Sequence, residues 1–148
     1  MEDAKAGQVL TFLLDTNVLS ELRKARPHGG VLAWFTANQA SASFATPAIA
    51  LFELQAGVEK LRQQDSARAE KFDFWADRIV DGSNILPLDA AAAREAARLM
   101  SKQSTALLFD AMIAAIARVN GYTVATRNTR DFEHFEVPLV NPFLYQKD

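Results

Sequence analysis

The chain has 148 residues, no cysteine and two histidines, and its 16 Lys and Arg stand against 18 Asp and Glu for a formal charge of −2. That composition excludes disulfides and thiolate zinc sites, makes an imidazole-built metal site a poor fit, and argues against a nucleic-acid binder working through bulk positive charge. With 49% hydrophobic and 23% charged residues, the length suits a single domain spanning residues 1–148, large enough for a core.

The opening Met1 to Gly7 is polar and acidic, without a signal peptide, and no apolar run reaches membrane-spanning length. A cytoplasmic protein without membrane contact is the expectation. Val9 to Leu14 is an apolar run rich in strand formers that ends at Asp15, Thr16 and Asn17. A run of this kind suits a strand buried on both faces of a parallel sheet. Ligands gather beyond the carboxyl ends of such strands, which places Asp15 at a functional rim; alone, it reads equally well as the cap of the helix beginning near Val18.

A short helical turn, Val18 to Leu22, runs into the basic segment Arg23 to His28, and Pro27, Gly29 and Gly30 mark a loop. Val31–Asn38 reads as a helix with Val31, Trp34 and Phe35 on one face, and Ser41–Thr46 as a second strand. A helix from Pro47 to Arg62 follows, its apolar stripe of Ile49, Phe52, Ala56 and Leu61 only loosely periodic. Asp65–Val80 reads as an amphipathic helix with Phe72, Trp75, Ala76 and Ile79 inward. Asp81 to Asn84 break it, and Pro87 puts the short strand Ile85–Leu88 at or near an edge. Asp89 caps a helix Ala90–Met100; after a polar connection, Ser101 to Ser104, another helix covers Leu107–Asn120 and stops at Gly121. Tyr122–Thr126 is a strand, Arg127 to Phe132 a polar loop, and Val137–Val140 a last short strand. Alternating strands and helices predict an α/β fold with a central, mainly parallel sheet of about four to five strands flanked by helices.

Further acids interrupt apolar surroundings. Glu53 sits between Phe52 and Leu54, and taken singly reads as a solvated residue on the outer face of its helix. Asp110 has Ile113, Ala114 and Ala117 as its helical neighbours, so it shares a buried face. A buried carboxylate needs a partner charge, hydrogen bonds or a metal, and several together favour a divalent cation between them. With this composition the cation would be hard and oxygen-ligated.

The order strand-Asp15-Thr16-Asn17, helical Glu53-Leu54, helical Phe109-Asp110-Ala111 and strand-Thr126-Arg127-Asn128-x-x-Asp131-Phe132 resembles the PIN-domain nucleases. It looks most like the VapC-type toxins of type II toxin–antitoxin pairs and the similar FitB proteins, over about Leu13 to Phe143. The resemblance implies that Asp15, Glu53 and Asp110 are the main acids of a Mg²⁺ or Mn²⁺ site. Asp131 would be an outer catalytic acid, with Thr16, Asn17, Thr126 and Asn128 in support. Asn128 stands where some relatives carry Asp, which bears on a second metal position, and Ala50 stands where many carry a hydroxyl, with Thr46 as the nearby substitute.

A carboxylate-held Mg²⁺ or Mn²⁺ can acidify water and neutralise charge on a phosphodiester, and the resemblance implies cleavage of RNA to a 5′-phosphate and a 3′-hydroxyl. Arg23, Lys24, Arg26, Arg127 and Arg130 are candidate phosphate contacts or, equally, solvated surface charges. Trp34, Phe35, Phe72, Phe74 and Trp75 read as core or interface rather than base-stacking platforms, and His28 and His134 take no role. The helices Val31–Asn38 and Pro47–Val80 exceed what a small sheet needs; by resemblance they supply a homodimer interface and a groove for a VapB-like antitoxin helix.

Three other readings compete. A haloacid-dehalogenase-like phosphotransferase needs a second Asp where Asn17 stands, and a receiver domain needs an acidic pair and a lysine with no match here. The non-enzyme alternative is a catalytically weak, FitB-like subunit of a DNA-binding repressor complex.

Overall fold

The computed structural model describes residues 9–147; the polar opening Met1 to Gly7 lies outside the described residues. Five strands, β1 (Leu10–Leu14), β2 (Ala42–Pro47), β3 (Asn84–Leu86), β4 (Thr123–Ala125) and β5 (Leu139–Val140), form one sheet in the order β3-β2-β1-β4-β5. Every neighbouring pair is parallel. The sheet is therefore fully rather than mainly parallel, and β3 is an edge strand as Pro87 implies.

Side chains of β1 alternate between two cores. Phe12 and Leu14 pack with Val18, Leu19, Val31, Trp34 and Ala50, while Leu13 points to the opposite face with Ala45, Val124, Ile113, Ile116 and Phe132. Burial on both faces explains the unbroken apolar run. The Trp34 ring meets Phe12 edge-on at 5.0 Å between centroids, so this aromatic is core.

The helices are α1 (Thr16–Leu22), α2 (Gly29–Asn38), α3 (Ala48–Arg62), α4 (Ser66–Gly82), α5 (Ala90–Leu99), α6 (Leu108–Asn120) and α7 (Thr129–Phe132). Among the described residues none is long and apolar enough to cross a membrane. Arg62 joins α3 to α4 by ion pairs to Glu70 at 2.5 Å and Asp73 at 2.6 Å. Helix α6 buries Ala111 and every residue from Ile113 to Ala117, and Gly121 closes it with φ 72°, a left-handed conformation that glycine adopts without a Cβ penalty.

Two expected loops are partly helical. Gly29 and Gly30 begin α2, because the His28 ring nitrogen accepts the Gly30 N–H at 3.1 Å and caps the helix. A Cβ on Gly30 would lie 3.0 Å from the carbonyl oxygens of both Pro142 and Phe143, so close backbone approach selects glycine there. The segment Arg127 to Phe132 ends in α7, whose Phe132 is fully buried against α6 and the sheet. Phe52, expected in an inward stripe, is 59% exposed.

Candidate active site at the end of the central strand

In this strand order the chain leaves β1 for β2 on one side and returns to β4 on the other, so a crevice opens beyond the carboxyl ends of β1 and β4. Asp15 sits there, only 4% exposed. Its Oδ1 accepts the Thr16 N–H at 2.8 Å, and its Oδ2 accepts the Thr126 hydroxyl at 2.7 Å and the Asn17 side-chain amide at 3.2 Å. Asp15 is thus both the cap of α1 and a fixed carboxylate aimed along the crevice, so its two sequence readings are compatible. Burial pushes its pKa up, and the hydrogen bonds from Thr126, Thr16 and Asn17 oppose that rise.

The supporting residues knit the β1 and β4 ends together. Asn17 Oδ1 accepts the Arg127 N–H at 3.1 Å, and the Thr126 hydroxyl oxygen accepts the Asn128 N–H at 2.9 Å. Thr126 is itself fully buried. Thr46 is buried too, but among the described residues no hydrogen bond joins it to the acids.

Glu53 comes from α3 and is half-buried rather than on an outer face; its Oε1 accepts the Thr16 hydroxyl at 2.9 Å. Burial raises its pKa, the Thr16 bond opposes the rise, and the Asp15 charge adds to it. Asp110, in the first turn of α6, is pushed up to about 7 by burial and then by the charges of Asp15, Asp131 and Glu53. Four acids from four segments therefore share one electrostatic neighbourhood. Asp131 stands in the first turn of α7, half-buried.

Asp110 accepts no protein hydrogen bond and has no cationic partner within ion-pair distance among the described residues. A carboxylate set of this kind, mutually repelling and without a counter-charge, fits a hard divalent cation. Among the described residues no three His, Cys, Asp or Glu side chains close on a single ion position.

The candidate phosphate contacts divide. Lys24 is held by Glu21 at 2.9 Å, and Arg127 lies over the Phe143 ring at 4.7 Å, while Arg26 and Arg130 are exposed. Arg23 lines a cleft of about 290 Å³ that runs from Thr16 and Glu53 past Leu54 and Val58 to Phe72 and Trp75. Phe72 and Trp75, assigned to core or interface from their spacing, are half-buried and wall this cleft. A signal was present: Arg68, Lys71, Phe72 and Trp75 fall at helical spacing on one side of α4, a mixed basic and aromatic stripe.

The family model for the PIN domain matches residues 12–137. This chain belongs to the PIN-domain family. Plasmid stability protein StbB of Pseudomonas syringae pv. tomato is 38% identical to this PIN domain over 143 residues, covering 89% of the chain and 98% of the relative. VapC ribonuclease Y4jK of Sinorhizobium fredii is 35% identical over 143 residues, covering 89% and 97%. Toxin FitB of Neisseria gonorrhoeae is 32% identical over 138 residues, covering 89% and 98%. The crystal structure of FitAcB from that organism matches with a TM-score of 0.71 at 31% identity, over 90% of this chain and 99% of the other. Within its family, this PIN domain stands with the VapC-type toxins.

Proposed function

We propose that this PIN domain is a Mg²⁺- or Mn²⁺-dependent endoribonuclease and the toxin of a type II toxin–antitoxin pair. The observation that carries the reading is the arrangement at the end of β1, where Thr16, Asn17 and Thr126 fix Asp15, the Thr16 hydroxyl holds Glu53, and among the described residues no cation pairs with Asp15, Glu53, Asp110 or Asp131. A bound Mg²⁺ or Mn²⁺ would acidify water and offset charge on the phosphodiester.

The chain's own residues supply position. Thr126, Asn17 and the Thr16 N–H fix the Asp15 carboxylate, and the Thr16 hydroxyl turns Glu53 toward it. A divalent cation held there would favour the ionised form of Asp110, whose pKa burial and the neighbouring acids raise, so metal binding would weaken as pH falls. Asp131 adds charge at the outer end, and the Asn128 amide orients water or substrate without adding charge.

A cognate VapB-like antitoxin is the partner that this reading requires. An Arg or Lys from it, placed near Asp15, Glu53 and Asp110, would pair with the carboxylates and compete with the metal. The exposed Phe52 and Phe109, 5.6 Å apart between ring centroids, support an apolar contact of the kind a homodimer covers. The test is degradation of RNA by purified protein with Mg²⁺, abolished by EDTA and by Asp15→Ala. An RNA substrate left intact by wild type with either metal overturns the reading.

A further inference from the structure

We propose that Arg23, Arg68 and Lys71, gathered around Phe72 and Trp75, form a subsite for the backbone phosphates of single-stranded RNA next to the acidic centre. The inference rests on the ribonuclease reading and extends it to a defined substrate path.

Arg23 leaves the end of α1 and lays its guanidinium 4.3 Å from the Phe72 ring centroid and 5.6 Å from that of Trp75. The Arg68 guanidinium reaches the Phe72 ring at 5.6 Å. Stacking of this kind holds a guanidinium plane in one orientation while leaving its N–H edges free to pair with an anion. Among the described residues none of Arg23, Arg68 or Lys71 forms an ion pair, whereas Lys24, Arg62, Arg98 and Arg118 all do. Burial and then the nearby Arg68 charge lower the Arg23 pKa, and the Glu21 charge only partly opposes them, as expected for cations held close together. An anion relieves that repulsion.

Position identifies the anion. The hollow lined by Arg23, Arg68, Lys71, Phe72 and Trp75 has a volume of about 270 Å³ and shares Arg23, Phe72 and Trp75 with the cleft that reaches Thr16 and Glu53. A chain of regularly spaced phosphates with one at the acids extends its neighbours along this path. A basic groove with interleaved aromatic rings is a usual way of tracking a single strand. Acidic protein segments have no comparable reason to continue into a cluster of carboxylates.

The experiment measures anisotropy of a fluorescein-labelled, twelve-nucleotide single-stranded RNA, with cleavage blocked by Asp15→Asn. In that background, Arg68→Gln with Lys71→Gln is expected to weaken binding at least tenfold. It should also flatten the log–log salt dependence by about 1.4, the loss of roughly two single-strand phosphate contacts. Arg23→Lys keeps the charge but loses the stacked fork, and should weaken binding several-fold. Both changed α4 residues are exposed, so an unchanged melting temperature shows that the fold is intact. Unchanged affinity and salt slope in the double variant overturn the subsite. So does a poly-glutamate peptide that needs Arg68 and Lys71 for binding while RNA does not. If binding stays sensitive to the double substitution but wild type with Mg²⁺ leaves this RNA intact, the subsite stands and the ribonuclease reading falls.

Discussion

Asp110→Asn should make the metal-free protein more stable while abolishing the proposed nuclease activity. The folded state raises the Asp110 pKa from 3.8 to about 7, so it binds the proton more tightly than the unfolded chain does. Stability therefore declines as pH rises between those values, and the full penalty is present above about 7. A shift of this size corresponds to about 4 kcal/mol at about 1.4 kcal/mol per pH unit. Asp110 is only half-buried, and solvent screening reduces this to about 1–2 kcal/mol. For a chain of this length that is roughly 2–8 °C in melting temperature. The assay is thermal denaturation in EDTA at pH 8 and again near pH 4, where wild type is largely protonated and the gain should nearly vanish. Adding Mg²⁺ at pH 8 should reverse the order, because only wild type has the charge to hold the ion. A variant destabilised equally at both pH values would refute the reasoning, since Asp110 would then be a packing or hydrogen-bonding residue.

Asp15→Ala should abolish RNA cleavage and cost about 1–3 kcal/mol in urea denaturation, because three donors lose a buried acceptor; Asp15→Asn should lose cleavage and fold more nearly as wild type. Thr126→Val removes one bond to Asp15 and acts through position: roughly tenfold more Mg²⁺ should be needed for half-maximal binding by calorimetry, and Thr126→Ser should restore it. Phe132→Ala opens a void between α6, α7 and the sheet and should cost about 3–5 kcal/mol by chemical denaturation; a cost under about 1 kcal/mol would show that α7 is not part of the core.

Asp15 and Asp110 were legible because a charge ending or interrupting an apolar run is costly, and the expense marks the place. Glu53 was less so, since its helix carries apolar residues on the outside as well as the inside: Phe52 points to solvent while Glu53 bonds to Thr16. The sheet could be read from strand-like runs, but Phe132 could not be placed, because polar neighbours from Arg127 to Asp131 hide a ring that tertiary packing draws inward. Capping by His28 was invisible for a similar reason, as His is an uncommon cap and Gly30 is explained only by carbonyls near residue 142. The cleft beside Arg23 was missed because helical spacing of aromatics normally signals core, whereas here two rings carry an arginine.

The bond from Thr126 to Asp15 joins positions 111 apart in the chain, and Asp110 arrives nearly as late. During synthesis the central strand and Asp15 leave the ribosome long before either of these can dock. Half-made chains thus hold Asp15 and Glu53 without Asp110 and Asp131, and a molecule broken off before Thr126 never fixes the first acid. Under the nuclease reading, the hazard to RNA begins only as the last quarter of the polypeptide folds into place, at the point where a partner must already be waiting.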